Sequence, residues 1–263
     1  MNRRGFILAA SATVGASIPL LARGRSGGDP AEGDEYAYSG QYGDGRLKAR
    51  PGAPRLRVEP GLTPLGIGGS RDGQLLVPAK YRADTPAPLA VVLHGAGGSS
   101  RGALRWSTAA AEESGVVCVV PESRSSTWDV LIQGLGPDVE FIDRALAFAF
   151  ARCNVDPKRV AICGFSDGAS YALTLGLING DFFSKIVAFS PGFIGSNEPY
   201  GNPKVWISHG TNDEILPIEQ TSRRIVPALQ RRGYPVTYRE FAGPHQVPAE
   251  VASEGFGWVA AGK

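Results

Sequence analysis

The sequence predicts an α/β protein with a mostly parallel central sheet of about eight strands and helices on both faces. Two observations lead to this class. Six short runs rich in β-branched residues recur from residue 89 onwards, and most are continuously apolar, as a strand buried on both faces requires. Between most of these runs lie helix-length segments, several with apolar residues at intervals of three and four.

The elements follow one another in a regular order. The predicted strands cover residues 89–93, 116–120, 160–163, 186–189, 205–208 and 236–241. The predicted helices cover residues 100–114, 138–152, 168–178 and 218–232. Weaker runs at 62–67 and 74–78 are candidates for two antiparallel strands at one edge. In such a sheet, functional groups gather at the carboxyl ends of the strands.

Composition and charge exclude several classes of protein. The chain has 263 residues, of which 43% are hydrophobic, so it is neither disordered nor a coiled coil. The first 28 residues contain four arginines and no acid, and the remainder carries 23 basic and 25 acidic residues. A nearly neutral body offers no general attraction to phosphate backbones, so nucleic acid is not an expected partner.

The N-terminus has the layout of an export signal. Arg3 and Arg4 precede about 17 apolar and small residues, which resembles a bacterial twin-arginine signal. An uncleaved membrane anchor is the alternative. We assign residues 1–28 to the signal, 29–60 to a flexible Gly/Pro-rich spacer and 61–263 to one α/β domain. The expected partner of the signal is the twin-arginine export machinery, and the expected location is periplasmic or secreted.

The cysteines and glycine-rich segments indicate no cofactor. Cys118, Cys153 and Cys163 are odd in number and lack CxxC spacing, which argues against a zinc site and a disulfide scaffold. Cys118 and Cys163 lie in apolar runs and are expected in the core, with a Cys153–Cys163 disulfide as an alternative. A complete GxGxxG or G-K-[ST] pattern is absent. We therefore expect neither a metal nor an organic cofactor.

A G-x-S-x-G pattern follows the strand predicted at residues 160–163. It reads Gly164-Phe165-Ser166-Asp167-Gly168 and precedes a predicted helix. A nucleophile on a sharp strand-to-helix turn has a strained backbone, and side chains two residues away would collide with neighbouring elements. Ser166 is therefore the candidate nucleophile. The alternative is a serine that caps a helix.

Small residues follow the strand predicted at residues 89–93. The segment His94-Gly95-Ala96-Gly97-Gly98-Ser99 would let backbone N–H groups approach a substrate oxygen, as an oxyanion hole requires. The N–H groups of Ala96 and Asp167 are the candidate donors. We expect the Asp167 carboxylate to point away from the oxyanion, because the first turn of a helix favours acidic side chains.

A carboxylate follows the strand predicted at residues 205–208. The segment is His209-Gly210-Thr211-Asn212-Asp213-Glu214. A carboxylate at this strand end can accept the Nδ1–H of an imidazole and hold the ring in the required tautomer. Asp213 is the candidate acid and its neighbour Glu214 the fallback, while a solvated acidic turn is the alternative.

Chain order selects the histidine. The sequence contains His94, His209 and His245. Hydrolases with this kind of sheet present serine, then acid, then histidine, and only His245 follows both Ser166 and Asp213. His245 is therefore the candidate general base. His94 and His209 are expected to hydrogen-bond their own loops.

Together these motifs resemble the α/β-hydrolase superfamily, and more closely its phospholipase/carboxylesterase and dienelactone-hydrolase-like esterases. The resemblance covers about residues 61–260, through HGAGGS, ESRSSTWD, GFSDGAS, HGTNDEILP and GPHQVP. It implies hydrolysis of small-molecule or polymeric esters through an acyl-enzyme. Ser166 would be the nucleophile, Asp213 the acid and His245 the base.

The resemblance leaves several questions of substrate open. Only residues 192–204 separate two predicted strands where many lipases carry a lid, so no large lid is expected. Trp128 either lines the acyl or alcohol pocket or packs in the core. An extracellular polyester or feruloyl-ester depolymerase is an alternative activity. A peptidase of the same fold and a non-catalytic binding protein are further alternatives, and the oligomeric state is not predicted.

Overall fold

The computed structural model describes residues 42–131 and 134–262, so the predicted export signal lies outside the described residues. The strands are β1 (Gly61–Pro64), β2 (Gly73–Val77), β3 (Ala87–Leu93), β4 (Val117–Pro121), β5 (Val155–Phe165), β6 (Lys185–Phe189), β7 (Lys204–Gly210) and β8 (Val236–Phe241). The helices are α1 (Ser100–Ser114), α2 (Pro137–Phe150), α3 (Asp167–Ile178), α4 (Ser222–Arg231) and α5 (Ala249–Ala260), with a short 3₁₀ turn at Asp129–Leu131.

All eight strands form one sheet in the order β1-β2-β4-β3-β5-β6-β7-β8. The strands from β3 to β8 are parallel to one another. At one edge, β2 pairs antiparallel with β4, and β1 pairs antiparallel with β2. The prediction of a mostly parallel eight-stranded sheet is confirmed, including the two weaker runs at its edge. Full burial of β3 and β4 explains their continuous apolarity, since helices cover both faces.

The helices divide between two apolar layers. Helices α1 and α5 pack on one face through residues such as Leu104 and Phe256. Helices α2, α3 and α4 pack on the other through residues such as Ile142, Leu173 and Ile225. Helix α5 was not predicted from the sequence. Within the described ranges, no helix combines the length and apolarity needed to cross a bilayer.

The segment before β1 packs against the domain. It was expected to be a flexible spacer over residues 29–60, and its part from residue 42 onwards is described. The side chain of Leu47 is buried, and its N–H donates to Oδ1 of Asn179 (2.9 Å). The N–H groups of the next two residues both donate to Oδ1 of Asp143 (2.7 Å each). Contacts of this kind order the backbone, so this part is no free spacer.

The three cysteines are buried and free. Burial raises the pKa of the Cys153 thiol to about 12, and it also raises the pKa of the Cys118 and Cys163 thiols. Because a buried neutral thiol is a poor nucleophile, these side chains act as small apolar residues of the core. The alternative of a Cys153–Cys163 disulfide is therefore wrong for this structure.

Candidate active site

The candidate site lies where the chain changes direction across the sheet. After β3 the chain crosses to β4 on one side, and it later returns to place β5 on the other side of β3. The loops that follow β3 and β5 consequently open onto one crevice at the carboxyl edge. They approach closely, since a Cβ atom on Gly95 would lie 3.3 Å from the Cβ of Ser166.

Ser166 occupies the sharp turn between β5 and α3. Its backbone is at φ 59° and ψ −121°, a region that L-residues rarely adopt. A Cβ atom on Gly164 would overlap the carbonyl group of Gly168, and one on Gly168 would overlap the carbonyl oxygens of Leu93 and His94. The two glycines of the G-x-S-x-G pattern are therefore required by backbone packing on both sides of the turn.

Folding brings the three predicted side chains into one hydrogen-bonded line. The Oγ of Ser166 lies 2.8 Å from Nε2 of His245, and Nδ1 of His245 lies 2.6 Å from Oδ2 of Asp213. Ser166 and Asp213 are largely buried, and the side chain of His245 is 13% exposed. The ring of Phe165 packs against the His245 imidazole with 4.7 Å between centroids. The hydroxyl therefore faces an imidazole whose other nitrogen is hydrogen-bonded to a carboxylate.

The carboxylate of Asp213 is held from several directions. Its Oδ1 accepts the N–H groups of Ile215 (3.0 Å) and Leu216 (2.8 Å). Its Oδ2 faces Nδ1 of His245 and also lies 3.1 Å from Nε2 of His209. The neighbouring Glu214, the fallback acid, is instead an exposed residue. Asp213 is therefore the carboxylate that the loop orients toward the imidazole.

The loop after β3 is fixed by hydrogen bonds from neighbouring loops. Gly97, at φ 63°, donates its N–H to the carbonyl of Ser126 (2.7 Å). Ser123 donates its N–H to Nε2 of His94 (3.0 Å), while Nδ1 of that ring lies 2.7 Å from the carbonyl oxygen of Gly95. Burial lowers the pKa of His94, so the ring is neutral with its hydrogen on Nδ1. The expected structural role of His94 is confirmed.

Two backbone N–H groups remain available beside Ser166. Among residues 42–131 and 134–262, the N–H groups of Ala96 and Asp167 have no acceptor. The carboxylate of Asp167 is held by Thr127, whose Oγ1 donates to Oδ2 (2.8 Å). The N–H of Asp167 therefore has no described acceptor, and its carboxylate is engaged with Thr127.

Trp128 belongs to the core rather than to a substrate pocket. Its side chain is fully buried, and its Nε1–H donates to the carbonyl oxygen of His94 (2.9 Å). The indole stacks on Tyr171 with 5.2 Å between centroids and also contacts the His94 ring. Because no face of the indole is left for a ligand, the interpretation of Trp128 as a substrate-binding residue is wrong. Its packing supports the loop after β3.

A buried acid pair lies beneath the same region. Oδ2 of Asp138 accepts the N–H of Asp129 (2.7 Å), and Oδ2 of Asp129 accepts the N–H of Asp138 (2.9 Å). The hydroxyl of Tyr171 donates to Oδ1 of Asp129 (2.9 Å). Burial, together with the neighbouring Asp129, raises the pKa of Asp138 to about 7. Within the described ranges, His, Cys, Asp and Glu side chains form no group suited to a metal ion.

Sequence reasoning missed one contact of the site. His209 was expected only to hydrogen-bond its own loop, and it does contact Leu216 in that loop, as well as Ser222 at the start of α4. Its approach to Asp213 was not anticipated. The spacing of four residues between His209 and Asp213 carries a weak signal at most, because the loop geometry decides whether the side chains meet.

The observed sheet assigns the protein to a known fold class. The eight-stranded, mostly parallel sheet has the α/β-hydrolase fold, and no large lid is present among the described residues. A family model described as "Putative esterase" matches residues 139–249, which include Ser166, Asp213 and His245.

Individual proteins with similar sequences or structures are also esterases or serine hydrolases. The chain is 29% identical over 162 residues to a bifunctional acetylxylan esterase/xylanase from Neocallimastix patriciarum. That match covers 58% of this chain and 23% of the relative, so the chain spans about a quarter of that protein. A fluorophosphonate-binding serine hydrolase from Staphylococcus aureus superposes with a TM-score of 0.63 at 17% identity, covering 78% of this chain and all of that one.

A ferulic acid esterase from Anaeromyces mucronatus superposes with a TM-score of 0.53 at 18% identity. This superposition covers 82% of the present chain and 96% of the esterase. At such identities the structural likeness establishes the shared fold. The sequence matches add a similarity to esterases.

Proposed function

We propose that this protein is a serine carboxylic-ester hydrolase of the carboxylesterase type that works through an acyl-enzyme. One observation carries the proposal: Ser166, on a strained turn, donates toward an imidazole whose other nitrogen faces the carboxylate of Asp213. Such an arrangement lets a weakly nucleophilic hydroxyl lose its proton as it attacks. The similarity to esterases supports an ester as the substrate.

In the proposed first step, Ser166 attacks the ester carbonyl carbon and Nε2 of His245 takes the hydroxyl proton. Asp213 stabilises the imidazolium that forms. The N–H groups of Ala96 and Asp167 donate to the developing oxyanion, and they are suited to this because no described acceptor competes for them. The imidazolium then protonates the departing alcohol. Water repeats the sequence on the acyl-enzyme and releases the acid.

The test compares two serines that both have a positive φ. Ser190 is the other described non-glycine residue at positive φ (53°), and its buried hydroxyl has no hydrogen-bond partner in the described ranges. Ser166→Ala should reduce the turnover of p-nitrophenyl acetate by several orders of magnitude and abolish labelling by a fluorophosphonate. Ser190→Ala should retain both. Hydrolysis by Ser166→Ala at a rate close to that of the wild type would refute the proposal.

A polymeric ester is the second candidate substrate. The match to an acetylxylan esterase/xylanase favours an acylated polysaccharide, and the twin-arginine-like N-terminus is consistent with export to the periplasm or beyond. The absence of a large lid among the described residues leaves room for a polymer chain. Acid release from acetylated or feruloylated xylan and from polyhydroxybutyrate, compared with short p-nitrophenyl esters, separates this candidate from a small-molecule esterase.

A further inference from the structure

A second imidazole lies beside the carboxylate of the candidate site. The side chain of His209, on β7, is fully buried. Its Nδ1 lies 2.7 Å from Oγ of Ser222 at the start of α4. Its Nε2 lies 2.8 Å from the carbonyl oxygen of Leu216 and 3.1 Å from Oδ2 of Asp213. The ring therefore contacts the same carboxylate oxygen as Nδ1 of His245.

The surroundings of His209 determine its tautomer. Nε2 faces a carbonyl and a carboxylate oxygen, both of which only accept, so this nitrogen carries the hydrogen. The hydroxyl of Ser222 donates to Nδ1. Burial lowers the pKa of His209, so the ring is neutral at neutral pH. The charged or titratable groups that face it are Asp213 and His245, together with Glu240 on the adjacent β8.

His209 supports both oxygens of the carboxylate. Through Nε2–H it holds the carbonyl of Leu216, the residue whose N–H donates to Oδ1 of Asp213 (2.8 Å). The same nitrogen also lies 3.1 Å from Oδ2, close enough for its N–H to attract that oxygen electrostatically. One neutral ring thus limits rotation of the Asp213 side chain without placing a second positive charge beside His245.

We propose that His209 is a positioning residue, whose Nε2–H keeps the Asp213 carboxylate in the orientation that His245 requires. The inference rests on the proposed function, because it assigns Asp213 to the orientation of the base. Loss of this support leaves substrate contacts in place and misaligns the proton transfer. The expected consequence is a lower kcat at an unchanged KM, since small misplacements of reacting groups cost up to about 100-fold in rate.

The test replaces the N–H and then restores it. His209→Leu removes the donor, and we expect kcat for p-nitrophenyl acetate to fall about 10- to 100-fold per folded molecule, with KM unchanged. The amide of His209→Gln has two hydrogens for the same two acceptors and should recover most of this loss. The side chain in His209→Asn is too short to reach Asp213, so this variant should lose as much kcat as His209→Leu. If His209→Leu does not fold, His209→Asn takes its place in the test.

A control variant separates positioning from general destabilisation. Lys185 is buried on β6, and its Nζ donates to the carbonyls of Trp258 (2.6 Å) and Ala261 (2.5 Å) at the far end of α5. Lys185→Met should lower the stability and leave kcat of the folded protein intact. If His209→Leu behaves in the same way, or if His209→Gln is as slow as His209→Leu, the positioning role is overturned.

A measurement that needs no turnover distinguishes this inference from the proposed function. The proton between Nδ1 of His245 and Oδ2 of Asp213, which are 2.6 Å apart, should give a low-field ¹H NMR resonance. We expect this resonance to be broadened or lost in His209→Leu and retained in His209→Gln. An unaltered resonance in His209→Leu would overturn the positioning role. A wild type with this resonance and without esterase activity would overturn only the proposed function.

Discussion

Replacement of Asp213 by asparagine tests how the loop after β7 controls the base. The backbone N–H groups of Ile215 and Leu216 both donate to Oδ1, so the amide oxygen of an asparagine must take that position. The amide nitrogen then replaces Oδ2 and donates to Nδ1 of His245. Nδ1 of His245 then becomes a hydrogen-bond acceptor, and the ring hydrogen moves to Nε2, where it faces Ser166.

The expected loss follows from the tautomer. A ring with its hydrogen on Nε2 cannot accept the proton of the Ser166 hydroxyl, and a reversal of this kind costs serine hydrolysis about 10⁴-fold in kcat. That factor corresponds to about 5 kcal/mol of transition-state stabilisation. KM should change little, because Asp213 is buried behind the imidazole. The assay is steady-state hydrolysis of p-nitrophenyl acetate by Asp213→Asn at neutral pH.

The adjacent glutamate supplies the matched control. Glu214 is exposed, so Glu214→Gln removes a neighbouring carboxylate and should leave kcat unaltered. A loss below tenfold for Asp213→Asn would refute the argument, because the imposed tautomer would then be irrelevant to turnover. An equal loss for the two variants would show that local charge, rather than the hydrogen bond, is responsible.

Two further predictions concern stability, measured by urea unfolding. The Cβ atom in Gly168→Ala overlaps backbone carbonyl groups that cannot move aside, so we expect the free energy of unfolding to fall by about 3 kcal/mol, or the variant not to fold. The Cβ atom in Gly102→Ala, in α1, has free space, so this variant should gain about 0.5–1 kcal/mol of stability. The pKa of Asp138, raised to about 7 by burial and by Asp129, means that the folded state holds a proton which the unfolded state releases near pH 4. The stabilisation that protonated Asp138 gives the folded state is therefore complete at low pH. The free energy of unfolding should fall by about 3 kcal/mol between pH 5 and pH 8.

Each of these predictions has a clear contrary result. Equal stability of the two glycine variants would contradict the packing argument for the turn around Ser166. A stability that is constant or rises from pH 5 to pH 8 would contradict the protonation of the buried acid pair. The variant Asp138→Asn should remove the pH dependence that this pair contributes.

The sheet could be predicted from the sequence because its central strands are buried on both faces. A run such as 89–93 has no polar position, and it forms the C-terminal part of β3. The G-x-S-x-G pattern could also be recognised in the sequence, since a turn this tight tolerates no side chain at Gly164 or Gly168. These signals are local: each arises within a few residues and survives any change in distant parts of the chain.

Helix α5 was missed because tertiary packing overrides its local signal. Its sequence contains Gly255 and Gly257, which disfavour a helix in isolation. In the fold, a Cβ atom on Gly255 would lie 3.0 Å from the ring of Phe189, so a small residue is needed for α5 to approach the sheet. Burial of Val251 and Phe256 then stabilises the helix. The sequence alone did not show this requirement.

The sequence by itself determined the order of the strands and of the first four helices. It also determined the chemical groups that follow the strands: a hydroxyl, a carboxylate and an imidazole, in that order. Only the tertiary structure decided which groups meet. Ser166 and His245 are 79 residues apart, and Asp213 and His245 are 32 apart, yet each pair is within hydrogen-bond distance. The placement of Trp128 in the core and of His209 beside the acid was decided in the same way. The physical reason is that hydrogen bonds and close packing act over a few ångströms, and such distances between remote residues exist only once the chain has folded.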